Sequence, residues 1–243
     1  MINVTLWNED AGKNGAYPDG INEALAEIFT GQEFKVVKAN LEQPEQGLSD
    51  EILNNTDVLI WWGHRFHDKV DDALVDKVVS RVNDGMGFIA LHSAHYAKPF
   101  KKLMGTHCSL RHRTTPFDKE ILWTVVPSHP IAQGVPQGYK IGKEEMYGEY
   151  FDIPEPDSVV FIGWFNGGEV FRSGCTFTRG KGRIFYFQPG HETYPIYRDK
   201  VIQRIIYNAT MWAAYKELEN TFRASGDAPR TRFAKWSKTN EQK

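Results

Sequence analysis

Three histidines stand at or just beyond the ends of short apolar runs, where their side chains could carry chemistry. His64, His92 and the pair His191-Glu192 each follow a run typical of a buried strand, and Asn8 and Glu9 follow a fourth. In open α/β sheets, ligands bind outside the carboxyl ends of the strands. We therefore expect these polar groups to share one site at that edge of the sheet.

Metal binding and proton transfer are the two chemistries that this set of residues favours. Neutral imidazole is the commonest zinc ligand, and a catalytic zinc typically takes three protein ligands that often mix His with a carboxylate. His92, His112, His191 and Glu145 form the predicted metal set. Metal-free acid/base catalysis by His92, His191 and Glu145 remains open, because no compact motif such as His-Glu-x-x-His fixes the ligands.

A nucleophilic serine is a third possibility. Ser93 lies at the bend after His92, and His191 could act as its base. The local sequence Leu-His-Ser-Ala-His lacks the glycines of the Gly-x-Ser-x-Gly elbow. This chemistry is therefore the least favoured of the three.

Aromatic residues close to the predicted site could bind a sugar ring. Trp62 ends the run before His64, Tyr147 follows Glu145 at short distance, and Tyr194 follows His191. We predict that Trp62, His64, Tyr147 and Tyr194 bind the substrate.

Alternating strand and helix patterns must position these groups. Continuous apolar runs are typical of strands buried on both faces of a parallel sheet, and helical spacing between them indicates βαβ units. The pattern predicts strands at 2–7, 34–37, 58–62 and 88–91, and helices at 21–28, from 49, at 70–82, at 100–104 and at 200–215.

The second half of the chain has a different pattern. A strand is predicted at 121–126, a Pro/Gly-rich turn region at 128–138, and four consecutive short strands between 159 and 187. Such a run indicates β-hairpins added to the sheet. The predicted fold class is α/β, with helices on both faces of a parallel sheet, an added β-hairpin region and a C-terminal helix.

Composition excludes several classes of function. The 243 residues are 41% hydrophobic and 25% charged with a net charge of −2, so we expect no nucleic-acid partner. The two cysteines, Cys108 and Cys175, form no disulfide or zinc-ribbon pattern, and no apolar run approaches the roughly 20 residues that cross a bilayer. We expect a cytoplasmic protein with no membrane partner and no nucleotide cofactor.

The end of the chain changes character. Residues 223–243 are polar and net basic, with Phe233 and Trp236 as the large apolar groups. We predict one α/β domain at 1–218, followed by a polar tail or an arm that contacts a neighbouring subunit in a homo-oligomer.

Several segments form a set whose order and spacing are specific. They are Gly87-Phe88-Ile89-Ala90-Leu91-His92-Ser93-Ala94, Leu103-Met104-Gly105, His112, His129-Pro130-Ile131-Ala132-Gln133-Gly134-Val135-Pro136, Glu144-Glu145-Met146-Tyr147, and Gly180-Lys181-Gly182-Arg183-Ile184-Phe185-Tyr186 through Gly190-His191. Together, over about residues 2–215, they resemble the ThuA-like, or trehalose-utilisation, family. The resemblance implies a flavodoxin-like fold related to the class I glutamine amidotransferases. It also implies a role in the metabolism of trehalose or keto-disaccharides.

The resemblance also carries a negative expectation. In the wider superfamily the bend after the central strand holds a nucleophilic cysteine, whereas this chain has His92 and Ser93 there. A thioester intermediate needs a thiolate, so we expect no glutamine amidotransferase activity. The expectation is an enzyme with hydrolase- or isomerase-type chemistry on a small sugar in a histidine-rich, zinc-bearing pocket. A non-catalytic sugar-binding or regulatory module on the same fold is the alternative.

Overall fold

The first half of the chain alternates strands and helices, which confirms the α/β class. A computed structural model describes residues 1–9 and 15–214, and the side chains of all of these except 114–117. The elements are β1 (Ile2–Asn8), α1 (Ile21–Ala26), β2 (Phe34–Asn40), α2 (Asp50–Asn54), β3 (Val58–Trp62), α3 (Asp72–Asn83), β4 (Gly87–Leu91) and α4 (Lys98–Met104). The predicted tail at 219–243 lies outside the described residues.

The second half holds longer strands than the sequence predicts. Its elements are β5 (Arg111–Thr124), β6 (Gly138–Gly148), β7 (Ser158–Phe165), β8 (Val170–Arg179), β9 (Gly182–Phe187) and α5 (Lys200–Ala213). The strand β6 was not predicted, and β5 begins ten residues before the predicted start. The two middle strands of the four predicted between 159 and 187 form the single strand β8.

The nine strands of the described residues form one mixed sheet in the order β2-β1-β3-β4-β9-β8-β7-β5-β6. The strands β2, β1, β3, β4 and β9 pair in parallel. The remaining strands pair antiparallel. Because β1, β3, β4 and β9 are parallel neighbours, the segments that follow them leave the sheet at the same edge.

Helices cover both faces of the sheet. Apolar residues of α2, α3 and α4, such as Leu53, Val78 and Phe100, pack in one core cluster. Residues of α1 and α5, such as Leu25 and Ile205, pack in the other. The central strands β3 and β4 are buried along their whole length, which explains their continuous apolar sequences.

The longer helices begin where the sequence provides capping groups. Asp71 accepts the Ala73 N–H at the start of α3, and Asp199 accepts the N–H groups of Val201 and Ile202 at the start of α5. None of the helices in the described part of the chain is long and apolar enough to cross a membrane.

Candidate active site

The bend after β4 brings His92 beneath the site. His92 has a φ of +53°, in the left-handed region that residues other than glycine rarely adopt, and its side chain is fully buried. Its Nδ1–H donates to the Gln188 carbonyl at 2.9 Å. Since Nδ1 carries this proton, the remaining ring nitrogen, Nε2, is the one that faces the site.

Glu145, near the end of β6, is the partner of that nitrogen. His92 Nε2 lies 3.2 Å from Glu145 Oε2 and 3.4 Å from the Tyr147 hydroxyl. The Tyr147 ring stacks on the imidazole, with centroids 5.0 Å apart. The Tyr147 hydroxyl also bonds to Ser93 Oγ at 2.7 Å, and Ser93 is buried, so this serine is engaged with the tyrosine.

The segment after β9 supplies His191 and a further carboxylate, Glu192. His191 Nε2 lies 4.0 Å from Glu145 Oε2. On the other side of the ring, His191 Nδ1 lies 3.6 Å from Glu192 Oε2 and accepts the Thr193 N–H at 3.2 Å. His191 therefore stands between two carboxylates.

His64, after β3, completes the group. Its Nδ1 lies 2.8 Å from Glu192 Oε2, and a carboxylate accepts this bond only from a protonated nitrogen. The ring centroids of His64, His92 and His191 are 5.1–5.9 Å apart. The structure thus brings together the three histidines that the strand ends predicted to be neighbours.

A cavity of about 760 Å³ opens above this group. Its lining includes His64, Glu145, His191, Glu192 and Arg65. The Arg65 guanidinium bonds to Glu192 Oε1 at 3.2 Å at the solvent-exposed side. The cavity wall is therefore rich in groups that can bind a hydroxylated ligand.

The local charges set the protonation of the site. Burial works to lower the pKa of His92, but the bond to Glu145 and the charge of Glu144 outweigh it and raise that pKa. Burial, followed by the charge of His92, lowers the pKa of His191 to about 4. Burial opposes ionisation of Glu192, but the hydrogen bond from His64 lowers its pKa to about 2. His191 is thus a neutral imidazole near pH 7, beside an ionised Glu192.

Two further buried carboxylates lie behind the cavity wall. Glu144 accepts N–H groups of the segment that carries His191. Glu9, which follows β1, accepts the backbone N–H groups of His64 and Arg65. Each carboxylate is close in space to the histidine segment that it binds but distant from it in the sequence.

One predicted metal ligand lies elsewhere. His112 is exposed on β5 and lines a separate cavity of about 820 Å³, together with residues such as Arg111 and Glu169. The structure therefore does not bring His112 together with the other predicted ligands. Two basic residues flank His112 in the sequence. Because this part of β5 has no alternating apolar pattern, the sequence did not show that the His112 side chain is exposed to solvent.

Two of the predicted sugar-stacking residues are buried. Trp62 is 2% exposed and donates its Nε1–H to the Gly190 carbonyl at 3.2 Å, and Tyr147 is 3% exposed against His92. Neither side chain lines the cavity. Both pack behind it, against the segment that carries His191 and against His92. Tyr194 is half-buried, with its ring centroid 5.7 Å from that of His191.

Two contributors were not singled out in the sequence. Gln188 and Arg65 hold or line the site through the contacts described above. Glu192 was expected at this edge of the sheet because it follows His191 directly, but no role was assigned to it. Gln188 acts through its backbone carbonyl, which no side-chain pattern can reveal.

One group in the described residues has the composition and spacing to hold a metal ion. His64, Glu145 and His191 each offer one ligand atom, and these atoms lie within 4.8 Å of one another. Two imidazoles and a carboxylate are donors that suit zinc.

The fold and the site together define an α/β protein with a cavity of histidines and carboxylates at the carboxyl edge of its parallel strands. A family model described as trehalose utilisation, ThuA, matches residues 3–213, and the chain belongs to this family. Membership connects the chain with sugar metabolism. None of the curated proteins is similar enough to match.

Solved structures share the fold at low sequence identity. A ThuA-like protein from Parabacteroides merdae is 15% identical with a TM-score of 0.66, covering 90% of this chain and 92% of its own. A ThuA-like protein from Bacteroides uniformis is 14% identical with a TM-score of 0.65, covering 87% and 91%. PurLQS from Thermotoga maritima is 13% identical with a TM-score of 0.54, covering 87% and 99%.

Proposed function

We propose that this chain is an enzyme of carbohydrate metabolism that binds a zinc ion through His64, Glu145 and His191. The observation that carries the proposal is the convergence of their three ligand atoms within 4.8 Å. Three protein ligands leave a coordination position for water or a sugar oxygen. This set differs from the predicted one, because His64 takes the place of His92 and His112.

Contacts around the three ligands support the same assignment. The bond from His64 Nδ1 to Glu192 leaves Nε2 available, and a carboxylate behind an imidazole is the common arrangement of metal-binding histidines. His92 is fully buried and bonds to Glu145 from below. We assign His92 to orienting Glu145 and holding a proton at Nε2, and not to ligation.

The chemistry proposed is hydrolysis or isomerisation of a small sugar. A bound zinc ion would supply Lewis-acid polarisation of a carbonyl or activation of a water. The cavity of about 760 Å³ falls within the range of roughly 300–1,000 Å³ that is usual for small-molecule sites. Its polar wall, which includes Arg65 and Thr193, suits a ligand with many hydroxyl groups.

Thiolate chemistry of the amidotransferase type has no support in this site. Burial raises the pKa of Cys108 to about 11 and that of Cys175 to about 12. The bend after β4 presents His92, which is already bonded at both ring nitrogens.

Metal content of purified protein tests the zinc assignment. We expect one zinc per chain in the wild type, and loss of at least nine-tenths of it in His64→Ala and in His191→Ala. His112→Ala is the matched control, because it removes a histidine outside the group, and it should retain the metal. A wild type without metal, or full retention in the two variants, would overturn the assignment.

Incubation with sugars tests the enzymatic class. Trehalose and a keto-disaccharide would each be incubated with the zinc-loaded protein and recovered for mass spectrometry. A product of changed mass or changed retention supports an enzyme, and Glu145→Gln should slow its formation at least a hundredfold. Stoichiometric binding with recovery of unchanged sugar would instead support a non-catalytic sugar-binding module.

A further inference from the structure

Glu144 is a buried carboxylate that bonds to the segment carrying His191. It has no exposed surface, and it lies in β6 directly before Glu145. Its Oε2 accepts the Gly190 N–H at 2.8 Å, and its Oε1 accepts the His191 N–H at 3.3 Å and the Glu145 N–H at 2.8 Å. One side chain therefore links two of the proposed metal ligands through their backbone.

Glu9 makes a comparable arrangement at the segment carrying His64. It is 3% exposed, and its Oε1 accepts the backbone N–H groups of both His64 and Arg65. Its Oε2 lies 3.6 Å from His67 Nδ1 and forms no hydrogen bond with the described residues. Each histidine-bearing segment thus has two consecutive N–H groups bonded to one carboxylate.

These bonds replace the sheet ladder at the point where it stops. Beyond the ends of β3 and β9, consecutive N–H groups have no neighbouring strand to pair with, and buried N–H groups without acceptors are costly. A carboxyl group can satisfy several such donors at once, because its two oxygens offer several acceptor sites. The two carboxylates therefore hold the backbone of each segment in one place while its imidazole faces the cavity.

We propose that Glu144 and Glu9 are positioning residues that fix the separation of the His191 and His64 imidazoles. The reason for fixing this separation, metal binding, rests on the proposed function. The hydrogen bonds from the backbone to Glu144 and Glu9 do not depend on it, and they can be tested in metal-free protein.

Glutamine substitution affects the two residues differently. In Glu144→Gln, either orientation of the amide turns its NH₂ group toward at least one N–H donor, because both oxygens of Glu144 accept backbone bonds. In Glu9→Gln, the remaining oxygen can accept both N–H groups, and the NH₂ group can donate to His67 Nδ1. A role that depended only on charge or volume would make the two variants alike.

Hydrogen exchange of the metal-free protein tests the proposal. In Glu144→Gln we expect peptides covering 188–194 to exchange at least tenfold faster than in the wild type, with β7 unchanged as an internal reference. In Glu9→Gln we expect peptides covering 63–67 to keep the wild-type rate, whereas Glu9→Ala should exchange at least tenfold faster there. Equal rates in all variants, or faster exchange spread evenly over the chain, would overturn the proposal.

Two further measurements keep the result decisive. If Glu144→Gln does not fold, the amides of Gly190 and His191 in the wild type remain informative, because the proposal requires them to be protected and free exchange overturns it. In zinc titrations, the positioning role predicts at least tenfold weaker binding by Glu144→Gln than by Glu9→Gln. A wild type that binds no zinc overturns the proposed function, while the exchange rates still decide the role of the two carboxylates.

Discussion

Glu120 is a fully buried carboxyl group in β5 whose surroundings favour the protonated form. Its Oε1 accepts the Ser173 hydroxyl at 2.8 Å, and its Oε2 has no hydrogen-bond partner among the described residues. Burial, followed by the charge of Glu144, raises its pKa from 4.5 to about 8. The folded protein therefore holds a proton at Glu120 that the unfolded chain releases at much lower pH.

This proton gives Glu120 a contribution to stability that falls as the pH rises, whereas the lowered pKa of His191 contributes in the opposite direction below about pH 6.5. The contribution of Glu120 is fully present below pH 4.5 and is lost progressively up to about pH 8, because only the unfolded state ionises in that interval. The loss reaches up to about 5 kcal/mol for a shift of this size. Urea denaturation of the wild type and of Glu120→Gln at pH 5, 6.5 and 8 measures it, as the change with pH of the difference between the two proteins.

Glu120→Gln is the matched variant for this prediction. The amide oxygen can still accept the Ser173 hydroxyl, and the side chain stays neutral at every pH. We expect the free energy of unfolding of the variant, relative to that of the wild type, to increase from pH 5 to pH 8, because only the wild type loses the contribution of Glu120. Parallel profiles for the two proteins would contradict the prediction.

Among the residues of the site, the location of the three histidines could be predicted, because each lies just beyond the end of a strand. His64, His92 and His191 follow parallel strands, so their location at one edge of the sheet could be predicted from the sheet alone. The separate role of each histidine could not be predicted, because it depends on the group that bonds to the imidazole, such as the Gln188 carbonyl or the Glu192 carboxylate. Those partners come from other segments, and a single sequence does not pair them.

At the scale of elements, the turn between β8 and β9 packs closely against the end of α3. A Cβ at Gly182 would lie 2.1 Å from the Val82 carbonyl oxygen and 2.9 Å from that of Met86. Both neighbours are backbone atoms, which cannot rotate away as a side chain can. The close approach of β9 to α3 therefore requires glycine at this position.

Gly182→Ala should separate these elements. We expect a loss of about 2–3 kcal/mol in the free energy of unfolding, as for other substitutions that overpack a core. Gly142→Ala is the control, because a Cβ at Gly142 meets nothing within 4 Å. The shift in the urea midpoint measures the effect, and equal midpoints for the two variants would show that the contact is not limiting.

The parts of the sheet that were missed, β6 and the first ten residues of β5, share one physical property. The strands β5 and β6 carry charged residues at positions that resemble a loop, including Arg113, Asp118 and Glu144. Arg113 bonds to Asp118 and Glu169, and Glu144 bonds to backbone N–H groups, so these charges are satisfied by tertiary contacts. Apolar patterns detect strands such as β4 because that strand is buried along its whole length and therefore contains only apolar residues and glycine.

At the scale of the whole molecule, the candidate site joins elements that are distant along the chain. His64 follows β3, Glu145 lies in β6 near one edge of the sheet, and His191 follows β9. Unfolding separates all three. A ligand that binds only this assembled group must stabilise the entire fold by mass action.

Zinc should therefore raise the melting temperature of the wild type. At a free zinc concentration one hundred times Kd, the stabilisation is about 2.7 kcal/mol, which corresponds to about 5–10 °C for a domain of this size. Thermal denaturation with buffered zinc and with a chelator measures the shift. His64→Ala lacks one ligand and should show little or no shift, whereas His112→Ala should match the wild type because His112 lies outside the group. An equal shift in His64→Ala would mean that zinc binds elsewhere on the chain.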